Sequence, residues 1–248
     1  MKPSQLLLGI AAAGAQFAAA ATPPGSEPQV PNTLGLAFEK NIVQPGELID
    51  QAGKHISSSH RSFNHWLAQR LTPLKSVADA GQPTLYAPHP KLNNRNLKKH
   101  KPPGGHNDKT YLFTLVDLNL PFFALPNTTD FASLVPGIGP NRTTSLHWFE
   151  YNVHAIPPRQ QLQNFSAPIA EYQGPMPPQG DEPHNYVLYL FEQPEGWKPD
   201  LSKVAAYANA SDSFARMNFS VAALEAQVGK PIAANYFLVE NENNTKSG

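Results

Sequence analysis

The chain has 248 residues, no cysteine, and 19 acidic and 19 basic side chains, so its formal net charge is zero. The absence of cysteine excludes disulfide bonds, zinc–thiolate sites and a cysteine nucleophile. A net charge of zero gives no indication of a nucleic-acid partner, which would normally require a basic face. The 26 prolines favour short strands and loops over a helical bundle. One local basic run, residues 95–101, precedes a Pro/Gly stretch, and we interpret it as a solvated loop.

The N-terminal sequence MKPSQLLLGIAAAGAQFAAAATPPG is typical of a secretory signal peptide, with one lysine, a short apolar stretch and a run of small residues. We therefore predict that residues 1–21 are removed and that the protein is secreted and extracellular. The apolar stretch is shorter than the ~20 residues of a spanning helix, so we expect no transmembrane anchor. Six N-x-S/T sequons agree with secretion and predict N-glycosylation at Asn127, Asn141, Asn164, Asn209, Asn218 and Asn243.

The first half of the chain predicts one helix. We expect a flexible Pro-rich lead-in over residues 22–32, and then a single domain over 33–242. Apolar residues at positions i, i+3, i+4 and i+8 predict a helix, with serines 57–59 as its cap and a proline at its end; they are Phe63, Trp66, Leu67 and Leu71. We interpret His60 and His65 as surface residues of this helix.

Strand patterns dominate from residue 111 onwards. Apolar, β-branched and aromatic runs predict four strands, over residues 111–118, 143–156, 185–193 and 233–240. The third run is apolar on both faces, which is typical of a central strand. A second helix is predicted after Ser220, with Phe219 and Leu224 as a hydrophobic staple and Gly229 as its end. A flexible tail is expected over 243–248. The pattern predicts a β-rich α+β domain with a few peripheral helices.

Motifs of common enzymes are missing. The sequence has no G-x-S-x-G elbow, no H-E-x-x-H and no Gly-rich phosphate loop, so we expect no metal, no cofactor and no enzymatic activity. Three polar residues nevertheless occur in or beside apolar runs, namely Asp117, His147 and His184. Burying such groups is costly unless they are paired or lie at a cleft. They either line one pocket at a common end of the sheet or are satisfied separately, and spacing alone favours the second explanation.

Three sequence blocks resemble motifs of the phosphatidylethanolamine-binding protein family. LVDLNLP resembles the D-P-D-x-P motif, with Asp117 and Pro121 matching and Asn119 in place of the second acid. SLHWFEYNV contains the histidine of the second motif, His147. YQGPMPPQGDEPHNYVLYLFEQ resembles G-x-x-P-P-x-G-x-x-x-H-R-Y, with matches at Gly174, Pro177, Pro178, Gly180, His184 and Tyr186. The chain is thus similar to a secreted, fungal-like member of the family, with residues 55–106 as an atypical insertion.

This resemblance implies a fold and a site. The implied fold has a large antiparallel sheet, a smaller packed sheet and short peripheral helices. The implied site is a pocket at one end of the main sheet that holds a small anion or a phospholipid head group. By position its lining would comprise Asp117, Asn119, Pro121, His147, His184 and Tyr186, with Gly174, Pro177 and Pro178 in the rim loop.

The chain also departs from the family pattern. Asn119 replaces an acid, Asn185 replaces an arginine, and Phe122-Phe123 replaces Ser-Arg. The rim therefore loses charges of both signs and gains aromatic area, which predicts tolerance of a more apolar ligand.

The leading function is a monomeric, non-catalytic binding protein. The alternative is an inhibitor of a serine carboxypeptidase that acts through surface loops. A third class, an enzyme using Asp117 with His147 or His184 as acid and base, ranks last because the sequence offers no nucleophile or metal set.

Overall fold

The computed structural model describes residues 20–38, 41–50, 82–88, 109–121, 142–157, 159–199, 216–241 and 243–244. These ranges contain nine strands and one helix. In chain order they are β1 (Gly35–Phe38), β2 (Asn41–Ile42), β3 (Glu47–Asp50), β4 (Thr84–Tyr86), β5 (Tyr111–Pro121), β6 (Arg142–Ile156), β7 (Gln161–Asn164), β8 (His184–Glu192), α1 (Val221–Val228) and β9 (Ala233–Glu240).

The strands form one mixed sheet in the order β2-β1-β4-β7-β6-β5-β8-β9-β3. Neighbours are antiparallel except β3 and β9, which are parallel. The four predicted strands are confirmed as β5, β6, β8 and β9. Strand β8 lies inside the sheet between β5 and β9, and its residues are buried almost throughout, as its two apolar faces indicated.

The two faces of the sheet carry separate hydrophobic clusters. Alternate residues of β8 point to opposite faces, so Leu188 joins one cluster and Val187 the other. The first cluster also contains Leu36 of β1 and Leu85 of β4. Strands β1 and β4 thus pack over one face of β8, although β7, β6 and β5 separate them from β8 in the sheet order. This packing requires the sheet to curl.

The predicted mostly-β fold class is confirmed, with one curled mixed sheet and one short helix in the described ranges. The smaller packed sheet corresponds to β2-β1-β4, which joins the remaining strands through one residue pair, Tyr86 and Gln161. Strand β4 lies within the segment 55–106 that was expected to be an insertion. None of the helices in the described ranges is long and apolar enough to cross a membrane.

The Pro-rich lead-in is packed against the domain in the structure. Thr22 is fully buried and Val30 is 2% exposed, and Val30 joins the second hydrophobic cluster. The backbone N–H of Ala21 donates to the Val30 carbonyl at 3.2 Å. Ala21 and Val30 both belong to the second hydrophobic cluster, so the chain folds back between them.

Helix α1 begins and ends where the sequence predicted. The Ser220 side chain accepts a hydrogen bond from the Ala223 N–H, and the helix ends at Gly229, whose φ is +90°. Val221 and Leu224 are its buried residues. The helix predicted around Phe63, with its two histidines, and the basic run at 95–101 lie outside the described residues.

Candidate functional site

Antiparallel pairing of β5 and β8 brings the predicted polar residues together. Asp117 lies near the end of β5, directly opposite Tyr186, and His184 is the first residue of β8. The Nδ1 atom of His184 is 2.7 Å from Asp117 Oδ2. The ring of His147, from β6, meets the Tyr186 ring edge-on at 5.1 Å. The structure thus brings Asp117, His147, His184 and Tyr186 into one cluster rather than leaving them separately satisfied.

His184 is held between two carboxylates. Its other ring nitrogen, Nε2, lies 3.0 Å from Asp181 Oδ2, and its side chain is fully buried. Both neighbours are acceptors when ionised, so this arrangement favours the imidazolium form, in which both ring nitrogens donate. Burial opposes this charge, but the hydrogen bonds and charges of Asp117 and Asp181 outweigh it and raise the pKa of His184.

Arg142 completes the charged part of the cluster. It binds Asp181 with two nitrogens, Nη1 at 2.6 Å and Nη2 at 2.8 Å, in the bidentate geometry that favours this pair. It also donates to the Asn119 carbonyl at 2.8 Å and to Glu182 at 3.1 Å. The hydrogen bond from Arg142 holds the pKa of Asp181 well below its usual range.

Sequence reasoning did not identify Arg142 or Asp181 as site residues. Asp181 occupies an unspecified position of the third motif, and Arg142 precedes the second block by three residues. The available signal was the pair of acids just before His184. In an apolar-flanked Pro/Gly loop, such acids need a cationic partner when they become buried.

The two family departures inside the described range contact each other. Asn119 Oδ1 accepts from the backbone N–H and from the side-chain amide of Asn185, both at 2.9 Å. The Asn119 N–H in turn donates to Asp117 Oδ1 at 2.7 Å. Asn119 therefore positions the Asp117 carboxylate, and Pro121 ends β5 opposite Arg142. Phe122 and Phe123 lie outside the described residues.

His147 is chemically distinct from His184. Its Nδ1 lies 3.1 Å from the Gln173 carbonyl, and burial lowers its pKa despite the attraction of Asp117. The ring is therefore neutral near pH 7, with Nδ1 as the donor and Nε2 as an acceptor. Buried Arg216, which the sequence did not single out, donates to the carbonyls of His147 and Glu171 and so fixes the backbone at this position.

The Tyr186 hydroxyl is buried without a hydrogen bond of normal geometry in the described part of the chain. Burial and the nearby Asp117 carboxylate raise its pKa well above the ordinary tyrosine value, so it stays protonated. Buried polar atoms are usually paired. The polar groups beside this hydroxyl are the Met176 backbone and the Asp117 carboxylate, so the hydroxyl lies inside the cluster.

The rim loop is attached to the C-terminal segment. Pro177 accepts a hydrogen bond from the Asn241 amide at 2.7 Å. Gly180, with φ of +85°, donates to Asn244 Oδ1 at 2.6 Å. Gly174 and Pro178 are half-buried in the same loop, while Met176 is 65% exposed. Residues 243–244, at the start of the tail expected to be flexible, thus contact the site.

A separate cleft of ≈ 660 Å³ lies between β4, β7 and β6. Glu150 lines it and accepts a hydrogen bond from the Trp148 indole at 2.8 Å, and burial raises the Glu150 pKa. The described residues that line this cleft include no basic side chain and none of the predicted ligand residues. The cleft is therefore distinct from the predicted anion site.

Three sequons fall in described ranges. Asn243 is exposed, whereas Asn164 is half-buried and accepts two hydrogen bonds from Ser166. Asn218 has a φ of +60°, and its side chain accepts from Thr143 at 2.6 Å. Asn127, Asn141 and Asn209 lie outside the described residues.

Part of the chain matches a known protein family. The family described as phosphatidylethanolamine-binding protein matches residues 134–237, a range that contains β6, β7, β8 and α1. No curated protein matches the chain significantly. A solved carboxypeptidase Y inhibitor, complexed with its cognate proteinase, is 16% identical with a TM-score of 0.45, covering 86% of this chain and 85% of its own.

A phosphatidylethanolamine-binding protein from Plasmodium vivax is 15% identical with a TM-score of 0.44, covering 84% of this chain and 85% of its own. The family match itself includes His147, Asp181, His184 and Tyr186. It supports the assignment of this chain to the phosphatidylethanolamine-binding protein family.

Proposed function

We propose that the chain is a non-catalytic binding protein of the phosphatidylethanolamine-binding type, which holds a small anion at the cluster around His184. One observation carries the proposal: Arg142 and His184 together already hold a carboxylate, that of Asp181, with three nitrogen–oxygen contacts of 2.6–3.0 Å. The same fork of donors suits the oxygens of a phosphate group. The anion would be inorganic phosphate or the head group of a phospholipid.

Two neighbours would complete such a site. The Tyr186 hydroxyl is buried beside the Asp117 carboxylate and would reorient to donate to a bound anion. Exposed Met176 offers an apolar, adaptable surface on the rim loop, beside which an acyl chain would leave the site. These features support a ligand with both an anionic head and an apolar appendage.

A titration with inorganic phosphate, phosphoethanolamine and a short-chain phosphatidylethanolamine tests the proposal. Arg142→Gln should weaken binding at least about tenfold, because charge-assisted hydrogen bonds contribute roughly 1.5–3 kcal/mol. Lys109→Gln is the matched control, since Lys109 also binds a carboxylate at 2.7 Å but is 55% exposed and lies outside the cluster. Equal affinities of the wild type and the Arg142 variant would refute the site, and weaker binding of the lipid would refute the apolar preference.

The alternative function is inhibition of a serine carboxypeptidase through surface loops. Large exposed apolar side chains outside the cluster, Phe165 at 70% and Ile42 at 68%, offer contact points for such a partner. An inhibition assay separates the two functions. An inhibitor of this kind should act equally well with Arg142→Gln, whereas replacement of Phe165 should weaken it.

Secretion as a glycosylated monomer belongs to the same proposal. Expression in a eukaryotic host should release the protein into the medium with its N-terminus near residue 22. Treatment with an N-glycosidase should lower the mass of the released protein. Asn243 is the sequon most open to modification in the described ranges, because it is exposed. Retention inside the cells with an intact N-terminus would contradict this prediction.

A further inference from the structure

The anion site around His184 is occupied by the protein itself. Asp181 takes both nitrogens of the Arg142 fork and the outward ring nitrogen of His184. A phosphate group would need these same donors. No external anion can therefore reach them while Asp181 keeps its present position.

The C-terminal segment holds Asp181 in this position. The Asn244 side chain accepts from the Gly180 N–H at 2.6 Å and donates to the Asp181 carbonyl at 2.8 Å. These two contacts lie on either side of the peptide that carries Asp181. The Asp181 side chain is 15% exposed, so one side faces solvent and the group has a path outwards.

The charges of the cluster indicate how Asp181 affects the binding of an anion. The cluster contains two cations, Arg142 and His184, and three anions, Asp117, Asp181 and Glu182. It therefore carries one excess negative charge while Asp181 is in place, which opposes the entry of an anion. When Asp181 leaves, the excess disappears and three donor contacts become free.

We propose that Asp181 is an internal ligand of the anion site, that a phosphate group binds by displacing it, and that Asn244 sets how firmly it is held. This inference rests on the proposed function. A tethered group competes at an effective concentration on the order of millimolar, so it selects against weak ligands. A phosphomonoester, with about −2 charge and three acceptor oxygens, displaces Asp181 better than a simple carboxylate does.

The test compares Asp181→Asn with wild type in titrations with phosphoethanolamine and, separately, with acetate. The variant keeps the side-chain shape but removes the competing charge. We expect phosphoethanolamine to bind about tenfold more tightly or better, since a charge-assisted contact is lost from the competitor. We also expect the variant to bind acetate, which the wild type excludes. Glu192→Gln is the control, because it makes the same carboxylate-to-amide change in an exposed pair with Lys109 outside the cluster; its effect should stay within about twofold.

Asn244→Ala provides a second measurement that leaves the charges of the site unchanged. It releases the peptide that carries Asp181, so it should also tighten phosphoethanolamine binding, by less than Asp181→Asn does. If Asp181→Asn fails to fold, the Asn244 variant decides: tighter binding supports the internal ligand and unchanged binding overturns it. If the wild type binds and the two variants bind no better, the internal ligand is refuted while the anion site stands. If neither wild type nor variants bind phosphate, the proposed function itself fails.

Discussion

The buried contact between His184 and Asp117 allows a direct test of the charges in the cluster. Asp117→Asn keeps the side-chain shape and removes the negative charge that faces the imidazolium at 2.7 Å. The two side chains are 0% and 3% exposed, so solvent screens the interaction little. A charged hydrogen bond contributes roughly 1.5–3 kcal/mol and a neutral one roughly 0.5–1.5 kcal/mol. Asp117 accepts two bonds, from His184 and from Asn119, so we expect a loss of about 2 kcal/mol.

Removing the carboxylate altogether should cost more. Asp117→Ala leaves the imidazolium with one partner in a buried place, and breaking a buried pair in this way costs roughly 3–5 kcal/mol. The matched control is Glu192→Gln, which makes the same carboxylate-to-amide change in the exposed pair with Lys109. An exposed pair contributes roughly 0–1 kcal/mol.

Urea unfolding at pH 6 and at pH 8 measures these free energies. The raised pKa of His184 keeps the ring charged at pH 6 in the folded protein, so the Asp117→Asn loss should be largest there. It should shrink as the pH rises through the folded-state pKa, because the ring then becomes neutral in the wild type as well. A loss at pH 6 no larger than that of Glu192→Gln would refute a charged buried pair.

Three further outcomes are expected. In an NMR titration, the pKa of His184 should lie above about 6.5 and that of His147 below it. The contribution of His184 to stability is then full below about pH 6.5 and lost at higher pH, whereas the contribution of His147 is lost as the pH falls below about 6.5. Titration of both rings at the ordinary histidine pKa would contradict this. Ser220→Ala should destabilise the fold by roughly 0.5–2 kcal/mol in urea unfolding through loss of the helix cap, and an unchanged midpoint would show that the cap is dispensable. Gly46→Ala should cost roughly 1–2 kcal/mol or more, because Gly46 has a φ of +79° and a Cβ there would lie 2.8 Å from the Tyr236 hydroxyl; a thermal unfolding midpoint equal to that of the wild type would rule out this strain.

Local patterns were sufficient to predict most of the regular structure. Strand β8 is apolar on both faces over consecutive residues, and only a central strand buries both faces. Helix α1 carries its own start and stop in Ser220 and Gly229. Its amphipathic pattern is weak, yet the caps locate it to the residue. These signals are local, so one sequence suffices to find them.

Other features depend on contacts between distant residues. Arg142 and Asp181 are 39 residues apart, and they meet because β5, β6 and β8 pair in a particular register. No local pattern specifies that register. The packing of the lead-in has the same origin, since Pro-rich composition indicates a loop but does not show whether Val30 finds a place in the core.

The two departures from the family motifs also explain why Arg142 has a central place in the proposed site. Asn119 and Asn185 replace an acid and an arginine, so one charge of each sign is lost and the net charge of the site is unchanged. Their side chains bind each other, because an amide oxygen accepts and an amide N–H donates as the lost groups could. The residues available to bind an anion change nevertheless. Without an arginine at position 185, the guanidinium that faces His184 through a shared carboxylate comes from β6. In the proposed site, that carboxylate, Asp181, is the group with which a ligand would compete.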